Sequence, residues 1–131
     1  MSPSNFTLLF AEDNPSIMAL YKKAFTQEGF KVLASSNAAE AMAELQDVPV
    51  DLLVTDLAMP EANTFDLFKL LKEKYPKLPV IIVSGKYQDL QEDFLNKGYK
   101  VTAFLQKPVE LSALKAKVAE VLGIVPGGKV K

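Results

Sequence analysis

Apolar and polar positions along the chain follow two alternating periods. Short runs, FTLLFA from Phe6, KVLAS from Lys31, DLLVTD from Asp51, PVIIVS from Pro79 and TAFLQ from Thr102, have the length and composition of strands. The third and fourth runs are apolar almost throughout, which predicts strands buried on both faces at the interior of a sheet. Between the runs, apolar residues recur every three or four positions. Ile17, Leu20, Tyr21, Ala24 and Phe25 mark a first helix, with Asn14 as its N-cap, Pro15 at its first position and Gly29 at its stop. Residues 38–46 read as a second helix. Residues 64–75 read as a third, with Thr64, Leu67, Phe68 and Leu71 on one face and Pro76 and Pro79 beyond its end. A thinner stripe of Leu90, Phe94 and Leu95 marks residues 88–97 as a weakly docked helix. Leu111, Leu114, Val118, Val121 and Leu122 give a last helix over 110–122 that stops at Gly123. Five strand–helix units in alternation predict an α/β domain built on a parallel sheet.

Length adds that this is one domain. The 131 residues are 49% hydrophobic and 24% charged, enough to bury a core. Residues 6–122 are expected to form it, with 1–5 as an N-terminal tail and 123–131 as a C-terminal tail or truncated linker. Fifteen basic against sixteen acidic residues leave a net charge of -1, so no strong field draws the chain to nucleic acid or to an anionic membrane. The first residues lack the basic start and apolar run of a signal peptide, and no run approaches the roughly 18 apolar residues of a membrane helix. A cytoplasmic location is the expectation.

The chain has no cysteine and no histidine. That excludes disulfides, thiolate or imidazole metal sites and any nucleophile activated by histidine. Chemistry must then use carboxylates, hydroxyls and lysines. In an open parallel sheet, ligands bind beyond the carboxyl ends of the strands. Those positions hold Glu12 and Asp13 after the first strand, Asp56 after the third, Ser84 and Gly85 after the fourth, and Lys107 and Pro108 after the fifth. Each has a plainer reading. Asp13 and Asn14 suit a helix N-terminus, Ser84 and Gly85 suit a loop, and Lys107 suits a solvated surface. Asp56 is the hardest to explain so, because it directly follows Leu52, Leu53, Val54 and Thr55 in a strand expected to be buried.

Three converging carboxylates repel one another, so either one holds a proton or a cation sits among them. Magnesium takes one or two protein carboxylates, keeps several waters and leaves places for a phosphoryl oxygen. Glu12, Asp13 and Asp56 with a nearby backbone carbonyl would make such a half-open site. A carboxylate so placed is also a plausible nucleophile toward phosphorus, with Lys107 and Ser84 near the phosphoryl oxygens.

This ordered set, Glu12-Asp13, Asp56 followed by Met59-Pro60, Ser84-Gly85 and Lys107-Pro108, resembles the response-regulator receiver domain of two-component signalling, over about residues 6–122. The resemblance implies a doubly wound, flavodoxin- or CheY-like sheet of five parallel strands in the order 2-1-3-4-5, flanked by five helices. It implies Asp56 as phosphoacceptor, Glu12, Asp13, Asp56 and the carbonyl of Ala58 as Mg2+ ligands, and Ser84 and Lys107 as the pair that contacts the phosphoryl group. It further implies Phe104 as an aromatic switch that turns inward as Ser84 moves, and a cis bond between Lys107 and Pro108. The chain departs from the family pattern in three places: Asn63-Thr64 stands where an Asp-Gly or Asn-Gly turn is usual, Tyr99-Lys100-Val101 follows Gly98 where alanine is common, and serine replaces the commoner threonine at Ser84.

The function so implied is a phosphorylation-controlled switch rather than an ordinary enzyme. Its phosphoryl donor would be a phosphohistidine on a histidine kinase or a histidine phosphotransfer protein, since the chain has no histidine of its own. Its output would be a downstream effector or a second copy, docked on the face formed by helix 88–97, strand 102–105 and helix 110–122. The alternative is a constitutive interaction module that keeps the fold and binds without regard to phosphate. A small phosphohydrolase or flavin carrier on the same fold is disfavoured, because no glycine-rich phosphate loop follows the first strand. A free-standing receiver, a piece of a longer regulator and a piece of a hybrid kinase are equally compatible with the sequence.

Overall fold

The computed structural model describes residues 3–56, 64–85, 98–99 and 101–124. Five strands form one sheet: β1 (Thr7–Ala11), β2 (Lys31–Ser35), β3 (Leu52–Thr55), β4 (Val80–Ser84) and β5 (Ala103–Gln106). All pairings are parallel and the order is β2-β1-β3-β4-β5. Four helices lie among the described residues: α1 (Pro15–Gln27), α2 (Ala38–Asp47), α3 (Thr64–Lys74) and α4 (Leu111–Leu122). The expected helix over 88–97, and Ala58 with the Met59-Pro60 turn, lie outside the described residues. Residues 3–5, expected as a tail, form a single 3-10 turn.

Helix starts follow local side-chain chemistry. The Asn14 side chain accepts from the N–H groups of Ser16 and Ile17 at 2.9 and 3.1 Å, with Pro15 in the first turn where its missing N–H costs nothing. Asn37 accepts from the N–H of Glu40 at 2.8 Å, and Glu40 in return accepts from the N–H and hydroxyl of Ser36 at 2.7 and 2.8 Å. That reciprocal pattern resembles a capping box displaced by one residue. These bonds hold the Glu40 carboxyl below its ordinary pKa. Gly29 and Gly123 take positive φ just past α1 and α4, a conformation that a side chain would strain.

Alternate residues of each strand point to opposite faces, and two cores result. On one face Leu9, Ala11, Leu53 and Ile82 pack with Ala41 and Leu45 of α2 and Leu67, Phe68 and Leu71 of α3. On the other, Leu8, Phe10, Leu52, Val54, Ile81 and Val83 pack with Tyr21 and Phe25 of α1 and Leu114 and Val118 of α4. Rings of Phe10, Tyr21, Phe25 and Phe30 form a chain of contacts at 5.1–6.0 Å on that second face. β3 and β4 are buried at every residue, as their composition predicts, and β1 joins them in the interior although its sequence did not set it apart.

One predicted core residue is not in the core. Leu20 is 52% exposed. At 3.6 residues per turn it lies about 100° around α1 from Tyr21, beyond the edge of the stripe that Tyr21, Ala24 and Phe25 bury. Ala119, outside the predicted stripe of α4, is buried instead. Strand boundaries also shorten: Phe6, Asp51, Pro79 and Thr102 lie one residue before the strands, where each still makes a backbone hydrogen bond to a neighbouring strand.

Candidate phosphoacceptor site

The sheet order reverses beside β1, so the chain leaving β1 and the chain leaving β3 diverge and open a crevice between them. Ladder bonds carry the geometry one residue past the strands. The N–H of Glu12 donates to the Ser35 carbonyl at 3.0 Å, that of Asp56 to the Ala11 carbonyl at 3.0 Å, and that of Lys107 to the Ser84 carbonyl at 3.1 Å. Backbones of three candidate site residues are therefore fixed by the last carbonyls of neighbouring strands. The Lys107–Pro108 peptide is cis.

Side chains from these positions meet. The Lys107 ammonium donates to Glu12 Oε1 at 2.9 Å and to Asp56 Oδ2 at 2.7 Å, joining residues 95 and 51 positions apart. Glu12 and Asp56 are each 4% exposed, whereas the Lys107 side chain is 26% exposed. The other Glu12 oxygen accepts from the N–H of Asn14 at 3.1 Å. Asn14 thus serves twice, its side chain starting α1 and its backbone holding Glu12. Asp13 is exposed at the rim. Glu12, Asp13 and Asp56 each offer a carboxylate oxygen within 4.8 Å of the others.

Burial raises the Glu12 pKa, and the neighbouring Asp56 charge adds to this, against the lowering effects of Lys107 and the Asn14 N–H. For Lys107, burial alone would lower the pKa, but the bonds to Asp56 and Glu12 outweigh it and the result is a raised value. The ammonium is therefore held charged. Tyr21, beneath the acids, is raised by burial and then by the Glu12 charge. Among the described residues, the carboxylates of Glu12, Asp13 and Asp56 gather beside the Lys107 ammonium. That imbalance, with a donor set made only of oxygen, fits a hard divalent cation such as magnesium.

Ser84 is fully buried at the end of β4. The register places Ile82 beside Phe104 and Ser84 beside Gln106, so Ser84 and Phe104 share one face of the sheet, two residues apart along the strands. Phe104 is half-buried against the core containing Leu53, Phe68 and Ile82. Of the predicted site residues, Glu12, Asp13, Asp56 and Lys107 converge, Ser84 lies at the same strand edge, and Phe104 lies deeper on its face. The anchoring role of the Asn14 N–H was not foreseen. Its only trace in the sequence was the capping signal. Nor was the cleft of about 380 Å3 beside the acids, lined by Glu12, Asp13, Met18, Lys22, Ser35 and Glu40, which no local pattern marks.

Comparison with known proteins agrees with this geometry. The chain is 35% identical over 102 residues to the response regulator GtcR of Aneurinibacillus migulanus, covering 78% of this chain and 41% of that protein. It is 30% identical over 122 residues to the transcriptional regulatory protein GlrR of Escherichia coli K12, covering 93% of this chain and 27% of that one. It thus spans well under half the length of these relatives. A receiver domain protein described as CheY-like, from Methanospirillum hungatei, superposes with a TM-score of 0.80 at 25% identity, over 90% of this chain and 94% of that structure. A family profile, response regulator receiver domain, matches residues 8–119, and the chain belongs to that family.

Proposed function

We propose that the chain works as a phosphorylation-controlled switch in which Asp56 accepts a phosphoryl group from a phosphohistidine on a histidine kinase or phosphotransfer protein. The observation that carries this reading is the pairing of a buried Asp56 carboxylate with the Lys107 ammonium at 2.7 Å, inside a cluster of acids at the sheet's switch point. In the transfer, an Asp56 oxygen forms a bond to phosphorus as the phosphorus–nitrogen bond of the donor breaks, and the freed imidazole leaves with the bonding pair and takes up a proton. Lys107 already lies against Asp56 and offers its charge to the phosphoryl oxygens. Ser84 at the neighbouring strand end offers a hydroxyl. Glu12, Asp13 and Asp56, with the carbonyl of Ala58, are the residues that would hold Mg2+. When bound it supplies positive charge that offsets the charge of the entering phosphoryl group.

Aspartyl phosphate adds roughly 1.5 to 2 negative charges by analogy with other phosphorylated side chains. Drawing the Ser84 hydroxyl toward them leaves room on the face that Ser84 shares with Phe104, and the ring turns inward. The output is then read on the face of residues 88–97, β5 and α4, by an effector or a second copy. Residues 6–122 act as the receiver unit, whether alone, joined to a transcriptional output or carried by a hybrid kinase.

Acetyl phosphate with magnesium tests the reading. The intact mass should rise by one phosphoryl group in the wild type and stay unchanged in Asp56→Asn. Labelling of that variant would overturn the assignment. Beryllofluoride with magnesium separates this switch from a constitutive interaction module, which would bind its partner equally with and without it.

A further inference from the structure

At the opposite edge of the sheet from the acids, an open hollow of about 450 Å3 lies where the chain enters β3 and where it passes from α3 to β4. Its apolar lining comes from Val50, Tyr75, Leu78 and Pro79, and its charged lining from Asp51, Lys74 and Lys77. Asp51 stands one residue before β3 and Asp56 one residue after it, so the hollow and the acids lie roughly 16 Å apart at about 3.3 Å per residue. We propose that this hollow docks an acidic segment of a partner protein, one large apolar side chain flanked by carboxylates.

The floor supplies the apolar half. Val50, Tyr75 and Leu78 are half-buried: they pack on the core between the sheet, α2 and α3, and they keep surface on the hollow for another side chain to cover. The floor is also fixed in shape. The Tyr75 hydroxyl donates to the Leu45 carbonyl at 3.0 Å, the Leu78 N–H donates to the Tyr75 carbonyl at 3.1 Å, and Pro76 and Pro79 set two φ angles of the same loop. A docking segment need not order it, which spares part of the entropy that association costs. The hollow is too open to enclose a small molecule, whereas a peptide covers it with its own flanking residues.

Charge selects the partner. Lys74 and Lys77 are both exposed, and neither makes an ion pair among the described residues. The one acid lining the hollow, Asp51, accepts from the Thr7 N–H at 2.7 Å. Two unmatched ammonium groups beside an apolar floor complement carboxylates on either side of a large apolar residue. The cleft at the other edge has the reverse character, with Glu12, Asp13 and Glu40 against Lys22, so the two edges do not compete for one segment. A partner held here leaves the acid edge free, and the contact is a tether independent of the phosphoryl group.

Titration of the 15N-labelled chain with three end-blocked peptides, the acidic EDFDE, the neutral QNFNQ and the ringless EDGDE, tests the proposal. The acidic peptide should give saturable shifts at the amides of Asp51, Lys74, Tyr75, Lys77 and Leu78, with those of Glu12 and Asp13 unmoved. It should bind more tightly than either of the others. Lys74→Met combined with Lys77→Met should weaken it about tenfold, the worth of two good exposed ion pairs. Asp51→Asn, which keeps an oxygen for the Thr7 N–H, should tighten it about twofold. Shifts that do not saturate, shifts centred on Glu12 and Asp13, or equal affinity for the acidic and neutral peptides would each overturn it. So would concentration-dependent shifts at the same amides without peptide, which would make a second copy the occupant.

Discussion

β3 and β5 each deliver a candidate site residue, Asp56 and Lys107, to the same edge of the sheet, and they are built differently. β3 has a strand on either side and is buried at every position, and the N–H of Asp56 continues its ladder to β1. β5 lies at the sheet's edge with one neighbour, and Ala103, Phe104 and Leu105 are only half-buried. The contrast separates two tasks. The acid proposed to accept the phosphoryl group sits on the element with least freedom. The ring proposed to report the event sits on the element held from one side. Local stability follows the number of apolar contacts, so a change at the β3 end is expected to displace β5 rather than β3.

Truncation at matched sites tests this contrast with the largest effect. Leu53→Ala removes a fully buried side chain between two strands and should cost about 3 kcal/mol, whereas Leu105→Ala on half-buried β5 should cost about 1 kcal/mol. Urea denaturation of both variants measures the difference, and equal losses would show that β5 is held as firmly as β3.

Removing the charge that bridges the two strands comes next. Lys107→Met leaves Glu12 and Asp56 buried without their shared partner and should destabilise by about 2 kcal/mol at neutral pH, since stranding a buried charge costs more than the pair returns. Added magnesium should recover part of that loss in the same denaturation experiment. Asn14→Ala removes the α1 cap and should cost about 1 kcal/mol, while its retained N–H still reaches Glu12.

The smallest effect is one of pH. Glu12 has a raised pKa in the fold, so the stability linked to its proton is fully present below the ordinary value of 4.5 and is lost as pH rises through the raised value. Lys107 has the same sign higher up, where its contribution holds below 10.5 and is lost as pH rises through its own raised value. Wild-type protein should therefore lose stability relative to Glu12→Gln as pH climbs from 4.5 toward neutrality. Denaturation midpoints of both across that window check the sign.

β3 and β4 were legible because burial on both faces leaves an unbroken apolar run, and Glu12, Asp56 and Lys107 because each stands one step past the end of a strand. Asp56 was the clearest, an acid directly after four buried positions. Leu20 was misjudged because periodicity names a stripe but not its width, and the width depends on how closely β-strands approach α1. The two hydrogen bonds that Lys107 donates, to Glu12 and to Asp56, depend on tertiary geometry across the sheet, which no local spacing contains.

Hydrogen exchange with and without magnesium beryllofluoride tests most directly whether a phosphoryl group on Asp56 is held by a fixed strand and reported by a looser one. Residues 88–97 and 103–107 should change their exchange rates, while Leu8–Ala11 and Leu52–Thr55 should remain as slow as before. Changes confined to the residues around Asp56, with 88–107 unaffected, would contradict the account.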